Sequence, residues 1–502
     1  MSKLKEAVSK IVSPNPDVRE EDRIPIKEKI IYGAADLFGG GQATMLSIIL
    51  LYFFTNIIGI DAGIAGTAIM IAKIWDAIID PTYGVLTDNT RTKLGRRRPY
   101  IIAGGALIIP AMALLFAPIQ SLSPAVKGVW ATLAYLIYCS VSSLSQVPYN
   151  SMASDISEDY RERNVANIFK MLFDVIAAGL CFLVPTLLLS AYKSGKIDTL
   201  PFYLILVLGL GTLFSVPLVL CGLFVKERAP YDKEHKAKFD IKEYFGTVSI
   251  KSFTLLIVMY VSAFICMDVV SALALYYTDN ILRGVELFGK EMSSIFLIGP
   301  LMVCAVLGIP LALKFMKTRS KQFAYRFGIP IYITGALGLA VYQPSWPSWL
   351  VPVFAVIAGF GFGGAQVMPW LIFPDTTDVA ELKLGKKPSG SMGGIMTFCR
   401  TITTAFATAM VGWVLGFAGY KESVANEVVD QPDSVLLAIR LLLAVSVVLL
   451  LSVGFIAASK YKVTDKKLER IRYFNDKFRE QEELTEQEAA EKQALIDELV
   501  NW

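Results

Sequence analysis

Three ionisable side chains stand at helical spacing inside an apolar run of the sequence, KIWDAIIDPTYG. Lys73, Asp76 and Asp80 occupy positions i, i+3 and i+7, so a helix would carry all three on one face. Two carboxylates one turn apart can coordinate a hard cation or share a proton, and the lysine can compensate their charge when the cation is absent. A buried ion pair that only stabilises helix packing is the alternative. Because two acids face one base, we favour cation binding, with Lys73 in charge compensation.

Further ionisable residues lie inside apolar runs, where such residues usually face an aqueous cavity and serve function. Asp36 stands beside FGGGQ, whose glycines would let another backbone or a ligand approach closely. Lys170 and Asp174 are four residues apart in a later run, so a helix would let them pair with each other. Asp268 and Arg400 are additional candidates for a polar site in the interior.

The composition indicates that lipid is the solvent for much of this chain. Of its 502 residues 54% are hydrophobic and 18% are charged, against about 25% charged in soluble proteins, and the mean hydropathy is +0.52. The net charge of +4 is small and the basic residues stand in short loops, which argues against nucleic-acid binding. The six cysteines form no CxxC pair, and the single histidine, His235, lies in a charged loop. We therefore expect no disulfide framework, zinc site or histidine catalysis.

Twelve apolar runs are long enough to cross a bilayer, which takes about twenty residues of helix. They lie near 31–58, 63–85, 99–118, 127–152, 165–190, 203–224, 252–281, 292–315, 327–343, 348–373, 390–418 and 434–459. We predict an all-α membrane protein of twelve transmembrane helices in two six-helix halves, 31–225 and 252–459. The N-terminal segment 1–30, the charged central loop 226–251 and a charged helical tail, 460–502, are expected in the cytoplasm. In the tail, helical spacing relates Leu468, Ile471, Phe474 and Phe478.

The positions of lysine and arginine predict the orientation of the spans. The loop 88–98, DNTRTKLGRRR, is strongly basic, and every second loop after it is basic too, whereas the alternate loops are not. Because basic loops are retained in the cytoplasm, we expect both termini there. The protein is then a multi-pass protein of the cell membrane, which is the inner membrane in a Gram-negative source.

A faint internal repeat accompanies the two halves. Gln146 and Gln366 are each followed by valine and, nine residues after the glutamine, by Asp155 and Asp375. Elements that recur in the same direction fit parallel halves related by an axis along the membrane normal.

Three segments carry recognisable motifs. They are KIWDAIIDPTYGVLTDNTRTKLGRRRPYI, the sequence DYRERN from Asp159 to Asn164, and PDTTDVAELKLGKKPSG with Arg400 after it. They resemble the glycoside–pentoside–hexuronide:cation symporters of the major facilitator superfamily, over roughly residues 30–460. The resemblance implies the major facilitator fold and the symport of a glycoside with a cation. It also implies that Asp76, Asp80 and Ser143 bind the cation.

The chain departs from that family in its cation site. The family has an asparagine just before its second aspartate, and this chain has Ile79. Sodium prefers several oxygen ligands, whereas a proton needs only a carboxylate. We therefore expect a proton, with sodium at Asp76 and Asp80 as the alternative, and no other cofactor.

The chain also departs from the family in its sugar site. Two sugar-binding acids of the family correspond to Gly40 and Gln146, while Asp36 lies one turn from Gly40 and Lys170 aligns at or beside a sugar-binding arginine. The candidate substrate-binding residues are therefore Asp36, Gln146, Lys170 and Arg400. Because acids are lost and bases are kept, we expect an acidic glycoside, such as a hexuronide or oligogalacturonide. A neutral oligosaccharide or pentoside is the alternative.

The sequence also bears on two other classes of function. A lysophospholipid carrier is an alternative, because such symporters share this branch of the superfamily. An enzyme or an ATP-driven pump is not expected, because the chain contains neither a GxxxxGK[ST] loop nor an HExxH motif. The expected partners are a small-molecule glycoside and the lipid bilayer, with no nucleic acid, and we expect a monomer.

Overall fold

The computed structural model describes residues 22–228, 246–287, 289–424, 429–480 and 484–502, apart from the side chains of Tyr160 and Lys290. Most of the predicted N-terminal segment 1–30 and of the central loop 226–251 lies outside the described residues. Each of the twelve predicted spans is a helix that is long and apolar enough to cross a membrane. The predicted fold class, an all-α membrane protein with twelve spanning helices, is confirmed.

The spanning helices are numbered in chain order. They are α1 (Ile26–Ile57), α2 (Ala62–Asn89), α3 (Arg98–Leu115), α4 (Pro124–Asp155), α5 (Tyr160–Lys193), α6 (Thr199–Phe224), α7 (Lys251–Asn280), α8 (Ser294–Thr318), α9 (Lys321–Val341), α10 (Leu350–Leu384), α11 (Ser389–Phe417) and α12 (Asp433–Lys460). α1 breaks between Ile26–Ala34 and Asp36–Tyr52 and ends in a π-helical turn, Phe53–Ile57; α6 contains another, Ile205–Gly209. Two short antiparallel strands, β1 (Glu286–Leu287) and β2 (Lys290–Glu291), lie between α7 and α8.

The first spanning helix begins earlier than its apolar run predicted. It starts at Ile26 rather than near residue 31 and therefore includes the polar sequence IKEK. Lys29 in this turn is buried, and its Nζ lies 2.8 Å from Glu162 Oε2 at the start of α5. A charged residue that is paired inside the protein can extend a helix, although hydropathy counts it as an interruption.

The described residues fall into two compact units. One lies within Met1–Phe239 and Lys421–Val429, and the other within Asp240–Tyr420 and Asp430–Trp502. In the first unit α2 and α3 pack against α4, α1 packs against α5, and α3 packs against α6. In the second unit the corresponding helices, six places later in the chain, form the same pairs. This is the packing that a repeat in the same direction produces.

The two aspartates of the sequence repeat occupy equivalent positions in their units. Asp155 ends α4, and its Oδ2 lies 2.5 Å from Arg97 Nε and 2.7 Å from Arg96 Nη2, just before α3. Asp375 lies in α10, and its Oδ2 is 2.5 Å from the Nζ of Lys321, the first residue of α9. Each unit therefore ties the end region of its fourth helix to the start of its third by an ion pair.

The C-terminal tail contains two helices, α13 (Asp465–Arg479) and α14 (Glu486–Leu499). Three of the four apolar residues noted in the sequence, Leu468, Ile471 and Phe474, are buried, whereas Phe478 is 55% exposed. α13 packs on α10, and Arg479 forms a bidentate ion pair with Glu381 there, with N–O distances of 2.6 and 2.8 Å. The tail thus belongs to the folded second unit.

Candidate functional site

The acid pair of α2 meets a serine from α4. Lys73 Nζ lies 3.0 Å from Asp76 Oδ2, and the Ser143 hydroxyl donates a 2.7 Å hydrogen bond to Asp76 Oδ1. Asp80 lies about one turn further along α2, close enough for its carboxylate to interact with Asp76, Ser143 and Lys73. The structure therefore brings together the three residues predicted to bind the cation and the lysine predicted to compensate their charge.

Packing of α2 against α4 positions this group. Trp75 Nε1 donates a 2.9 Å hydrogen bond to Ser140 Oγ, one turn before Ser143 on α4. Ser143 is 2% exposed, and the side chains of Lys73 and Asp76 are partly exposed. Two carboxylates and a hydroxyl suit a proton or a hard cation. Within the described ranges no group of three or more His, Cys, Asp or Glu residues could hold a metal ion.

A second polar group lines a pocket of about 330 Å³ in the same unit. Its lining residues come from α1, α4 and α5 and are Asp36, Gly39, Gly40, Gln146, Asn150, Lys170, Met171 and Asp174. Three of the four residues predicted to bind substrate, Asp36, Gln146 and Lys170, are among them. The pocket therefore contains two carboxylates, one ammonium group and two amides.

Lys170 is held by an amide and not by the acid four residues further along α5. Its Nζ donates a 2.8 Å hydrogen bond to Asn150 Oδ1, and Gln146 Nε2 donates to the same oxygen at 3.3 Å. Asp36 Oδ1 lies 3.9 Å from Lys170 Nζ, at the limit of an ion pair. Asn150 was not predicted, although it lies one turn beyond Gln146 on α4, and helical spacing would have identified it.

One face of α4 contributes to both polar groups. Ser143, Gln146 and Asn150 stand at i, i+3 and i+7, which aligns them along the helix. Ser143 binds Asp76 of α2, whereas the two amides line the pocket between α4, α1 and α5. A change at either group therefore acts on the same helix.

The fourth residue predicted to bind substrate, Arg400, lies in the second unit. Its guanidinium forms a bidentate ion pair with Asp268 of α7, in which Nη2 lies 2.8 Å from Oδ1. It also stacks over the Phe264 ring, 4.9 Å from the centroid. Asp268 is 4% exposed, so the pair stabilises the packing of α11 against α7 in this structure. A role for Arg400 in substrate binding stays a prediction.

Comparison with known proteins identifies the family. The profile of the family described as MFS/sugar transport protein matches residues 31–465. The chain belongs to this family. YagG of Escherichia coli strain K12, named a candidate glycoside/cation symporter, is 28% identical over 454 residues, which are 89% of this chain and 94% of that protein. The glucuronide carrier protein homolog of the same strain is 24% identical over 453 residues, covering 88% and 93%.

Solved structures show the same fold. The crystal structure of the nucleoside transporter NupG superposes with a TM-score of 0.57 at 14% identity, over 87% of this chain and 99% of NupG. At this identity the likeness concerns the fold alone. Together with the family match it confirms the expected transporter architecture of the major facilitator superfamily. The MFS/sugar transport member described here is a multi-pass membrane transporter and not an enzyme.

Proposed function

We propose that this protein carries a glycoside across the membrane together with a cation. The observation that supports it most is the arrangement on α4, where Ser143 binds a carboxylate of α2 and, along the same helix face, Gln146 and Asn150 line a pocket of glycoside size. The names of the relatives, a candidate glycoside/cation symporter and a glucuronide carrier homolog, support the same proposal.

Asp76, Asp80 and Ser143 form the proposed coupling site. When the cation is absent, Lys73 offsets the charge of Asp76 across 3.0 Å, which lowers the cost of two carboxylates inside a membrane. Lys73 offsets one of the two negative charges, and a bound cation would offset the other. We propose a proton, because Ile79 stands where the family has an asparagine, so the amide oxygen that could bind sodium is missing. Sodium at Asp76 and Asp80 is the second candidate.

The substrate proposed here is a neutral glycoside. The acidic substrate was expected because acids had been lost at Gly40 and Gln146, yet Asp36 and Asp174 place two carboxylates beside Lys170. Carboxylates and amide oxygens accept hydrogen bonds from sugar hydroxyls and repel an anion. An acidic glycoside is the second candidate, favoured by the Lys170 ammonium at the pocket and by the glucuronide carrier homolog among the relatives.

The proposed topology follows from the basic loops. Both termini and the central loop 226–251 are proposed to lie in the cytoplasm. The proposed membrane is the cell membrane, which is the inner membrane in a Gram-negative source. A monomer is proposed as well, separately from the topology. The proposal depends on retention of lysine and arginine on the cytoplasmic side.

Uptake by reconstituted vesicles tests the proposed function. We expect an imposed proton gradient to drive concentrative uptake of a glycoside, and Asp76→Asn or Asp80→Asn to abolish accumulation while glycoside exchange at equilibrium continues. Asp198→Asn, the same change at an exposed residue outside both polar groups, is the matched control. Accumulation at the wild-type level in both carboxylate variants would exclude this pair as the coupling site. Uptake of a lysophospholipid analogue without any glycoside uptake would show that the substrate class is wrong.

A further inference from the structure

Asp174 is a pocket carboxylate without a direct partner. In the described part of the chain it accepts no hydrogen bond and forms no ion pair, because Lys170 donates to Asn150 instead. Lys170 acts on it only through charge attraction. A partly buried carboxylate without a donor is unfavourable, so its oxygens are available to a ligand that brings donors.

The glycine at position 40 makes room for this carboxylate. A Cβ built on Gly40 would overlap Asp174 Oδ1 and would also crowd the Asp174 carbonyl oxygen. Any other residue at position 40 would therefore displace Asp174 from the pocket wall. α1 and α5 pack closely here, so neither backbone can move away without disturbing the first unit.

A second acceptor in the same pocket lacks a partner. Gln146 Oε1 is buried and receives no hydrogen bond within the described residues, whereas Gln146 Nε2 already donates to Asn150. One of the three N–H donors of the Lys170 ammonium is taken by Asn150 Oδ1. The pocket therefore presents two groups of acceptors that receive no hydrogen bond within the described residues, the Asp174 carboxylate and Gln146 Oε1. A ligand rich in hydroxyl groups suits these acceptors, because each hydroxyl supplies one O–H donor.

We infer that Asp174, whose carboxylate occupies the space left open by Gly40, is a specificity-determining residue that binds a hydroxyl of the substrate. The inference depends on the proposed glycoside transport and extends it. The substrate group that is recognised is a hydroxyl donor, and the residue that recognises it lies on α5. An O–H to carboxylate bond is charge-assisted and about twice as strong as a neutral one.

Binding of glycosides and their single-deoxy analogues to the purified protein tests this inference. We expect Asp174→Asn to weaken glycoside binding about tenfold, the effect of losing about 1.5 kcal/mol of a hydrogen bond to a charged group. One deoxy analogue should bind the wild type about tenfold more weakly than its parent, and this difference should be clearly smaller in Asp174→Asn, whose amide oxygen accepts only a neutral hydrogen bond. A purely structural role would weaken parent and analogue by the same factor.

A pair of glycine variants tests whether a side chain at position 40 displaces the Asp174 carboxylate. Gly40→Ala should weaken binding, because its Cβ displaces the Asp174 carboxylate, whereas Gly179→Ala on α5, where a Cβ meets open space, should not. Equal binding by wild type and Asp174→Asn, or the same loss on every deoxy analogue in both proteins, would overturn the inference and leave the proposed function intact. If the wild type binds no glycoside, the proposed function and this inference both fail.

Discussion

Removal of one hydroxyl at Ser143 should change how strongly the protein binds the coupling proton that we propose. The Ser143 hydroxyl donates to Asp76 Oδ1 at 2.7 Å and is buried. A hydrogen bond to a charged group is worth about 1.5–3 kcal/mol. We use the lower end, about 1.5 kcal/mol, because Lys73 also contacts Asp76 and the carboxylate is partly exposed. That energy corresponds to about a tenfold change in an equilibrium constant.

The sign of the change distinguishes a proton from sodium. Ser143 stabilises the ionised carboxylate, so Ser143→Ala removes an interaction that opposes protonation of Asp76. The pH of half-maximal uptake should therefore rise by about one unit. If sodium were the coupling ion, the hydroxyl oxygen would be a ligand, and Ser143→Ala would instead raise the sodium concentration needed for half-maximal uptake.

The assay is initial glycoside uptake by vesicles between pH 5 and 9, at fixed substrate and with and without sodium. Ser145→Ala is the matched control, because the hydroxyl of this buried serine donates to backbone carbonyls of its own helix, those of Val141 and Ser142. The reasoning is refuted if Ser143→Ala transports with an unchanged pH profile. It is also refuted if the only change is a higher sodium concentration at half-maximal uptake, in which case the coupling ion is sodium.

Three further predictions concern substrate charge, topology and the tail. Lys170→Gln should weaken neutral and acidic glycosides by similar factors in competition assays, because Asp36 and Asn150 already engage the lysine; a far larger loss for acidic glycosides would show that the substrate is an anion. Cysteine at position 421 should react with an impermeant thiol reagent from outside, and cysteine at position 236 should not; the reverse pattern would overturn the topology. Arg479→Gln should loosen α13 by about 1 kcal/mol, because it leaves the Glu381 carboxylate, buried at 6% exposure, without its bidentate partner. Hydrogen exchange of α13 measures this, with Arg283→Gln, which breaks an exposed ion pair, as the control that should have almost no effect.

The positions of the spans could be predicted because the bilayer imposes a length of about twenty apolar residues on each. The ends of the spans could not. α1 begins a turn early because Lys29 pairs with Glu162, 133 residues away in the sequence. α10 continues past residue 373 because Asp375, Asp378 and Glu381 each find a basic partner. Such pairs between distant segments leave no mark on local hydropathy.

The candidate site likewise contains residues that the sequence could predict and residues that it could not. Helical spacing placed Lys73, Asp76 and Asp80 together, since those three residues share one helix. Ser143 came only from the family resemblance, because one serine in an apolar run carries no distinctive signal. Spacing also suggested that Lys170 pairs with Asp174, but the amide oxygen of Asn150 on α4 accepts the hydrogen bond from the lysine instead. A partner on a neighbouring helix competes with one on the same helix, and sequence spacing describes only the second.

The arrangement on α4 bears on how cation and substrate are coupled. Protonation of Asp76 would weaken its attraction for Lys73 and change the acceptor that Ser143 binds. Ser143 shares a helix face with Gln146 and Asn150, so any shift of α4 that follows reaches the pocket wall within two turns. Linkage is reciprocal: the factor by which the cation strengthens glycoside binding equals the factor by which the glycoside strengthens cation binding. A helix that contacts both proposed ligands would couple the two binding events physically, and the residues proposed for this coupling, Ser143, Gln146 and Asn150, all lie on α4 in the first unit.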